Sequence, residues 1–318
     1  MADINQSASA SAEANLAKIS GNTFNFIQAP ASIVSGPTGI AKAIRTIAPV
    51  WYEEREAKAL SVRAESLATT AAHLKEMFPA MSERRAVMEA LGYPMQNKQA
   101  DNVIGAMSRS QEELKSDAGA HGYILPEARD AIIEGSKGAY DENARVMWAK
   151  LIAGEMRKPG TFSKKSMSIL SEMNSEEAKL FEKLCSFCIE LNVDLNNSNI
   201  EYYDPIVVLI HDDDASSYNN GSFSIMNINR LELLGLVATN LSRTLSFHPN
   251  LQMPYRIGER VVLFACKGEN EVKVRLDAVL TNYGTELSRL CDHGASQGAI
   301  DVLKKVAEKK GLTMKDAT

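Results

Sequence analysis

The sequence predicts a mainly α protein with a small α+β part: a helical bundle with a long amino-terminal helix, followed by a winged-helix-like domain. Two observations predict the bundle. Residues 51–78 contain neither glycine nor proline, and residues 140–184 repeat apolar side chains every three or four positions, the spacing of buried helix faces. The third observation is the change after Leu191 to short β-rich runs, with one helix among them, in the order of a winged-helix domain.

The composition excludes several classes of protein. The 318 residues are 45% apolar and 24% charged with a formal net charge of −5, so no global positive field attracts the chain to nucleic acid or to anionic lipid. Four cysteines and the lack of a signal peptide pattern predict a cytoplasmic protein. We expect no transmembrane helix, because no uninterrupted apolar run is long enough to span a bilayer.

The chain begins with two segments that are not expected to belong to the bundle. Residues 1–22 are rich in Ala, Ser and Asn and predict a disordered tail. Residues 23–50 form an apolar segment that contains glycine and proline, with no charge between Phe24 and Ala41. This segment is interpreted as a loop leading into a helix or, alternatively, as a segment that lies on a membrane surface. In the second case the protein is membrane-associated.

A helical domain is predicted at 51–191. Its first helix, at 51–78, has a narrow apolar stripe in which Leu60, Leu67 and Leu74 recur every seven residues, the spacing of a coiled coil. A helix with so few large apolar residues is marginal in water, so we expect these leucines to pack on another helix. One hypothesis is a homo-oligomer joined through the three leucines. The other is packing on the helix predicted at 97–116.

The segment 140–184 has the clearest helix boundaries. Asp141 and Asn174 are placed to cap two helices, and the Pro159-Gly160 pair ends the first of them. Trp148 lies on the apolar face of that first helix. We therefore predict that Trp148 is a structural anchor of the central helices.

Two strings in this segment resemble a known family. They are WAKLIAGEMRKPGTFSKKSMSIL, from Trp148 to Leu170, and SEEAKLFEKLC, from Ser175 to Cys185. Both resemble the signature of a bacterial family catalogued as domain of unknown function 2806, and the resemblance extends to 96–103, 231–237 and 281–287. The family has no agreed activity, so the resemblance implies a bacterial origin but no function, catalytic residue or cofactor.

The carboxyl-terminal part, 200–318, is predicted to form the winged-helix-like domain after a polar linker. A helix at 228–234 would be its recognition helix, and a final helix is expected at 297–310. The predicted strands are Ile206–Ile210, Leu245–His248, Val261–Cys266 and Val272–Leu280.

Two patterns suggest nucleotide or metal chemistry. Residues 35–43, SGPTGIAKA, resemble a phosphate-binding loop, but alanine stands on both sides of Lys42, where such a loop needs glycine and Ser or Thr. Asp212–Asp214 could hold a divalent cation, although the Ser, Asn and Gly that follow are typical of a solvated loop. We therefore expect neither a nucleotide nor a metal cofactor.

The four cysteines offer a second candidate metal site. Cys185 and Cys188 have the CxxC spacing of zinc ligands, and Cys266 and Cys291 would complete a set of four thiolates. However, the first pair falls on the buried face of a predicted helix, and the second pair lacks the short spacing. Buried free thiols are the favoured interpretation.

The expected function is interaction or regulation without catalysis, because the sequence contains no catalytic motif, although a site built from scattered residues would leave none. A protein partner is expected in addition to the oligomer. Nucleic acid is not expected as a partner, because the predicted recognition helix offers only Arg230 as a cation and Glu232 opposes it. The basic tail at 303–315 does not change this expectation. A DNA-binding regulator and a membrane-surface protein using 24–48 remain alternatives. A link to phage defence rests on association alone.

Overall fold

The computed structural model describes residues 41, 44, 52, 54–114, 123–191, 205–212, 216–258, 260–291 and 297–316. Of these residues 54% are helical and 18% lie in strands, arranged in four small antiparallel sheets. The predicted helical bundle with a winged-helix-like domain is therefore wrong, and the protein is an α+β mix. The chain divides into two compact units, 1–171 and 172–318.

Several predictions concern residues outside this description. They are the tail at 1–22, the apolar segment 23–50 apart from Ala41 and Ile44, and the linker before residue 200. Lys42 of the phosphate-loop-like string and Asp213 also lie there. Among the residues described, no helix is long and apolar enough to cross a membrane.

The described part of the first unit is helical. Its helices are α1 (Glu54–Met77), α2 (Glu83–Ala90), α3 (Asn97–Leu114), α4 (Pro126–Ser136), α5 (Glu142–Arg157) and α6 (Lys164–Glu172). Their starts follow local chemistry: Ser82 accepts a hydrogen bond from the backbone N–H of Arg85, and Asp141 from that of Ala144. Pro126 opens α4, where its missing N–H costs nothing. Helices α3 and α5 pack extensively on each other.

The three leucines predicted to join an oligomer pack within the chain. Leu67 is buried, and Leu60 and Leu74 are half-buried against a cluster that includes residues of α2 together with Ala41 and Ile44. The helix that covers the stripe is thus α2, which directly follows α1. An oligomer through Leu60, Leu67 and Leu74 stays a prediction, and it would form around side chains that α2 already covers in part.

The central helices pack closely because two glycines make room for aromatic rings. Trp148 is 2% exposed. A Cβ placed at Gly135 would lie 2.4 Å from the Trp148 ring, and one at Gly154 would lie 2.7 Å from the ring of Phe162. Any larger residue at either glycine would push the ring out of its site.

A buried carboxylate shapes the turn after α5. Glu155 is completely buried, and its two carboxylate oxygens accept hydrogen bonds from the backbone N–H groups of Gly160 and Phe162, at 2.9 and 2.7 Å. These bonds hold the Pro159-Gly160 turn against the end of the helix. Packing and backbone hydrogen bonding thus account for Gly154, Glu155, Gly160 and Phe162 in the string GEMRKPGTF.

The second unit combines short strands with four helices in its described part. In chain order the elements are α7 (Ser175–Cys185), β1 (Cys188–Leu191), β2 (Ile206–Val207), β3 (Ser217–Tyr218), β4 (Phe223–Ser224), α8 (Ile225–Leu233), β5 (Val237–Ala238), β6 (Arg243–Phe247), β7 (Met253–Ile257), β8 (Arg260–Cys266), β9 (Val272–Leu276), β10 (Val279–Leu280), α9 (Asn282–Ser288), α10 (Gln297–Lys309) and β11 (Leu312–Asp316).

The sheet arrangement explains why the winged-helix prediction fails. A five-stranded antiparallel sheet has the order β11-β8-β7-β1-β2, and the remaining strands form the pairs β3–β4, β5–β10 and β6–β9. A wing needs a hairpin of consecutive strands, but β6 pairs with β9 across the intervening β7–β8 hairpin. Cys188, predicted on a helix, instead begins β1, which is paired on both sides.

Two distant stretches named by the family resemblance, 231–237 and 281–287, are in direct contact. The Thr281 backbone N–H donates to the carbonyl of Leu236 at 3.0 Å, and the Thr281 hydroxyl donates to the carbonyl of Gly235. A Cβ at Gly284 would lie 2.0 Å from the Leu236 carbonyl oxygen. Glycine is required there because only it lets α9 approach this backbone so closely.

Candidate interaction surface on helix α8

Helix α8 is fixed at its start by a reciprocal cap. The Ser224 hydroxyl accepts from the backbone N–H of Asn227 at 3.2 Å, and the Asn227 side chain accepts from the backbone N–H of Ser224 at 3.1 Å. At the other end the chain turns through Gly235, whose φ of 77° is costly for any other residue type. The helix therefore has a defined orientation, with Ile228 and Leu231 completely buried.

The opposite side of α8 is also apolar. Met226 is 71% exposed and Leu233 is 89% exposed, and they are seven positions apart, which places both on one face of the helix. Arg230 lies between them on that face and is exposed. Most surface helices have one apolar stripe and one polar face, whereas α8 carries apolar residues on both sides.

The loop after α8 adds another exposed apolar residue. Thr239 donates to the carboxylate of Glu232 from its backbone N–H at 2.8 Å and from its hydroxyl at 2.7 Å, which ties the loop to the end of the helix. Leu241, two residues further, is 57% exposed. We call Met226, Arg230, Leu233 and Leu241 the α8 surface.

Charge on the α8 surface is positive. Glu232 faces Thr239, so Arg230 is the charged residue of α8 that lies on the apolar stripe. Its exposed guanidinium lies 3.8 Å from the carboxylate of Glu177 on α7, a residue that is half-buried. Arg230 was considered from the sequence as a DNA contact, but the structure places it between two exposed apolar side chains.

The cysteines do not assemble into a four-thiolate site. Cys185, Cys188 and Cys291 are buried next to one another, whereas Cys266 lies in β8 with its Sγ 3.1 Å from the Phe247 carbonyl oxygen. Burial raises the pKa of Cys185 well above its usual value, and contacts with the other two thiols raise it further. No group of three ligand side chains suited to a metal ion occurs within the described ranges.

Asp212, the first of the three consecutive aspartates, organises a loop. Its carboxylate accepts from the Ser217 hydroxyl and from the backbone N–H groups of Asn220 and Gly221, each at 2.8 Å. Partial burial acts to raise its pKa, but these donors and the nearby charge of Lys309 outweigh that effect and lower it. The side chain thus holds a turn that contains two asparagines with positive φ, and we assign it no metal-binding role.

Asp212→Asn is expected to reduce the loss of stability that accompanies a fall in pH into the acid range. A lowered folded-state pKa means that the carboxylate stabilises the fold above the unfolded-state value of about 4, and that this contribution is lost as pH falls through the folded-state pKa. Because the group is partly exposed, the effect is modest. Urea unfolding at about pH 7 and about pH 3 should show a deficit in the variant that shrinks at the lower pH. An equal deficit at both would contradict the prediction.

A polar cluster in the first unit was not found from the sequence. Arg129 on α4 lies over the ring of Tyr52 at 4.2 Å and 3.2 Å from the Glu56 carboxylate, while the Tyr93 hydroxyl donates to Asp130. Burial raises the pKa of Tyr52 and of Tyr93, so both phenols stay protonated near neutrality. The residues of the cluster lie too far apart in sequence to form a motif.

Two cavities in the described residues have the size of bound water. One, of about 20 Å³, lies in the first unit beside Tyr52 and Tyr93, and the other, of about 30 Å³, lies in the second unit between the sheet, the β6–β9 pair and α10. Each has room for a water molecule or two but not for a metabolite. We therefore assign neither as a substrate site.

The family described as "Protein of unknown function (DUF2806)" matches residues 133–304, more than half of the chain. The chain belongs to this family. The resemblance seen in Trp148–Leu170 and Ser175–Cys185 is thereby confirmed. No curated protein and no solved structure matches the chain.

Some of the features described above lie within the residues that match DUF2806, and others lie outside them. It contains Trp148, the Glu155 turn, the contact between Thr281 and Leu236, and the whole α8 surface. The leucines of α1 and the Arg129 cluster precede it. The surface that we propose to be functional therefore lies within the DUF2806 region.

Proposed function

We propose that this protein acts by binding a partner protein through the α8 surface and that it performs no catalysis. The observation that carries the proposal is the exposure of Met226 and Leu233 on a helix whose opposite side is already buried. Exposed apolar side chains that cluster on one surface of a soluble protein are typical of an interaction site. The partner's identity would decide between a regulatory role and one in phage defence.

The charge of the surface favours a partner different from the chain itself. In a two-fold pairing of α8 with a second copy, the two Arg230 side chains would meet near the axis, because Arg230 lies between Met226 and Leu233. Like charges in such a position are unfavourable. A partner segment with a carboxylate between two apolar residues would instead pair with Arg230 and bury both flanking side chains.

Site-specific photocrosslinking tests this proposal. A photoreactive phenylalanine analogue would replace Met226 or Leu233 in the full chain, in cells that express the protein at its natural level. Both positions should yield a crosslinked species of the same mass. As a control, the analogue at Lys304, an exposed polar position on α10, should not yield that species.

A second variant separates specific binding from chance contact. Leu233→Lys should keep the melting temperature, because Leu233 is 89% exposed, yet it should remove the product formed from position 226. Crosslinks that persist in this variant, or that form equally from Lys304, would contradict the proposal. A crosslinked product with twice the mass of the chain would show that the partner is a second copy of the chain and not a different protein.

A further inference from the structure

We propose that the outer face of the β6–β9 pair binds the phosphate backbone of nucleic acid, at a site distinct from the α8 surface. Apolar and polar side chains alternate from Thr244 to Phe247 in β6 and throughout β9. Leu245, Phe247, Val274 and Leu276 are buried and line the cavity against the sheet and α10. The alternate positions point the other way because successive side chains in a strand face opposite sides. They are Thr244, Ser246, Lys273 and Arg275.

The register of the pair places a hydroxyl beside each cation. Thr244 lies opposite Arg275, and Ser246 lies opposite Lys273. Thr244, Lys273 and Arg275 are exposed, and Ser246 is half-buried. Side chains of these types make the phosphate contacts in most protein–nucleic acid interfaces, and a two-stranded ribbon is narrow enough to enter the major groove.

The cations of this face are available for a ligand. Within the residues described, the Arg275 side chain is exposed and has no ion pair or hydrogen bond. Lys273 lies 3.5 Å from Glu271, but both side chains are exposed, so the pair contributes little. Lys273 and Arg275 are two residues apart on one strand, about 6.6 Å, and no carboxylate stands between them.

The composition of the face favours nucleic acid over a protein or a membrane. Protein interfaces depend on buried apolar or aromatic anchors, and this face presents none. A membrane surface attracts each cation by only about 1 kcal/mol and needs an apolar insertion for firm binding. Phosphate contacts, in contrast, supply most of the affinity of non-specific nucleic acid binding.

The net charge of −5 does not prevent such binding. At physiological ionic strength the Debye length is about 8 Å, so exposed carboxylates beyond that distance from the ribbon are largely screened. The inference differs from the expectation based on sequence, which considered only Arg230 and the basic tail. Those residues are not part of this face.

Fluorescence anisotropy with a short labelled DNA duplex, and in parallel an RNA duplex, tests the inference on the full chain. If the face neutralises two or three phosphates, affinity should fall about 10- to 40-fold between about 50 and 200 mM salt. Lys273→Glu/Arg275→Glu should abolish binding. Lys304→Glu/Lys305→Glu, with the same change in charge on α10, should bind within about twofold of the wild type, because non-specific binding depends on local phosphate contacts.

Several results would overturn the inference. They are no binding by the wild type at the lowest salt, an affinity independent of salt, or equal losses in the two charge-reversed variants. If the Glu variant unfolds, Lys273→Gln/Arg275→Gln takes its place and should lower the salt slope by about two phosphate equivalents. Binding to vesicles that contain phosphatidylserine but to neither duplex would assign the face to a membrane instead. None of these outcomes affects the α8 proposal, which crosslinking tests separately.

Discussion

Trp148→Ala is expected to lower the free energy of unfolding by about 3–5 kcal/mol, the usual cost of truncating a buried tryptophan. Trp148 is 2% exposed, and its ring lies over Gly135 with no space for a Cβ between them. The variant would leave a ring-sized void between α4 and α5 that the helices cannot close without moving. Urea unfolding of the full chain measures the loss. An unchanged midpoint would show that Trp148 is not the anchor we predict.

A double-mutant cycle with Gly135 separates this contact from general destabilisation. Gly135→Ala alone should cost about 1–3 kcal/mol, because the added methyl group would meet the ring at 2.4 Å. In the Trp148→Ala background the ring is absent, so the same methyl group fills part of the void and the penalty should disappear. Additive effects of the two substitutions would contradict the described packing.

Gly284→Ala is expected to destabilise the second unit by more than about 3 kcal/mol, at the upper end for overpacking. The new Cβ would lie 2.0 Å from the Leu236 carbonyl oxygen, a backbone atom that cannot rotate away. Relief requires α9 to move from the backbone at Gly235 and Leu236, which breaks the two hydrogen bonds of Thr281. Loss of soluble protein, or a large fall in melting temperature, is the expected measurement.

Gly268→Ala provides the matched control. Gly268 also lies in the second unit, its φ is not in the left-handed region, and a Cβ there meets nothing within 4 Å. The substitution should be neutral or slightly stabilising, since alanine restricts the unfolded chain. Similar losses in the two variants would contradict the assignment of the Gly284 effect to the contact with Leu236.

Several helices could be predicted because their signals are local. Asp141 and Asn174 both cap helices in the structure, as predicted: Asp141 caps α5 and Asn174 caps α7. Pro126 in the first turn of α4 is a signal of the same local kind. A cap involves residues within three or four positions of one another, so short-range chemistry suffices to identify it.

The sheet of the second unit could not be predicted because its pairings are distant in sequence. β1, at the beginning of the unit, pairs with β7 and β2, and β11 at the other end pairs with β8. The residues CIEL of β1 continue a helical pattern, and only the neighbouring strands select the extended form. A short apolar run does not specify its partner, because register and neighbours depend on burial in the whole unit.

For the two proposed surfaces as well, the sequence indicates part of the description and only the structure supplies the rest. The sequence predicts a helix close to α8 and shows alternating cations in VKVRL, residues 272–276. It does not tell which side of either element is covered. Burial of Ile228 and Leu231 leaves Met226 and Leu233 outside, and burial of Val274 leaves its cationic neighbours outside.

By itself the sequence determined the family, the helices α1, α3 and α5, the caps at Asp141 and Asn174, and the lack of a recognisable catalytic motif. Only the tertiary structure decided the α+β fold, the packing of α2 on the leucines of α1, the grouping of three thiols without the fourth, and the exposure of the α8 and β6–β9 faces. The physical reason is the separation in sequence between the residues that interact. Caps and turns depend on neighbours along the chain, whereas strand pairing and burial depend on residues brought together from the whole unit.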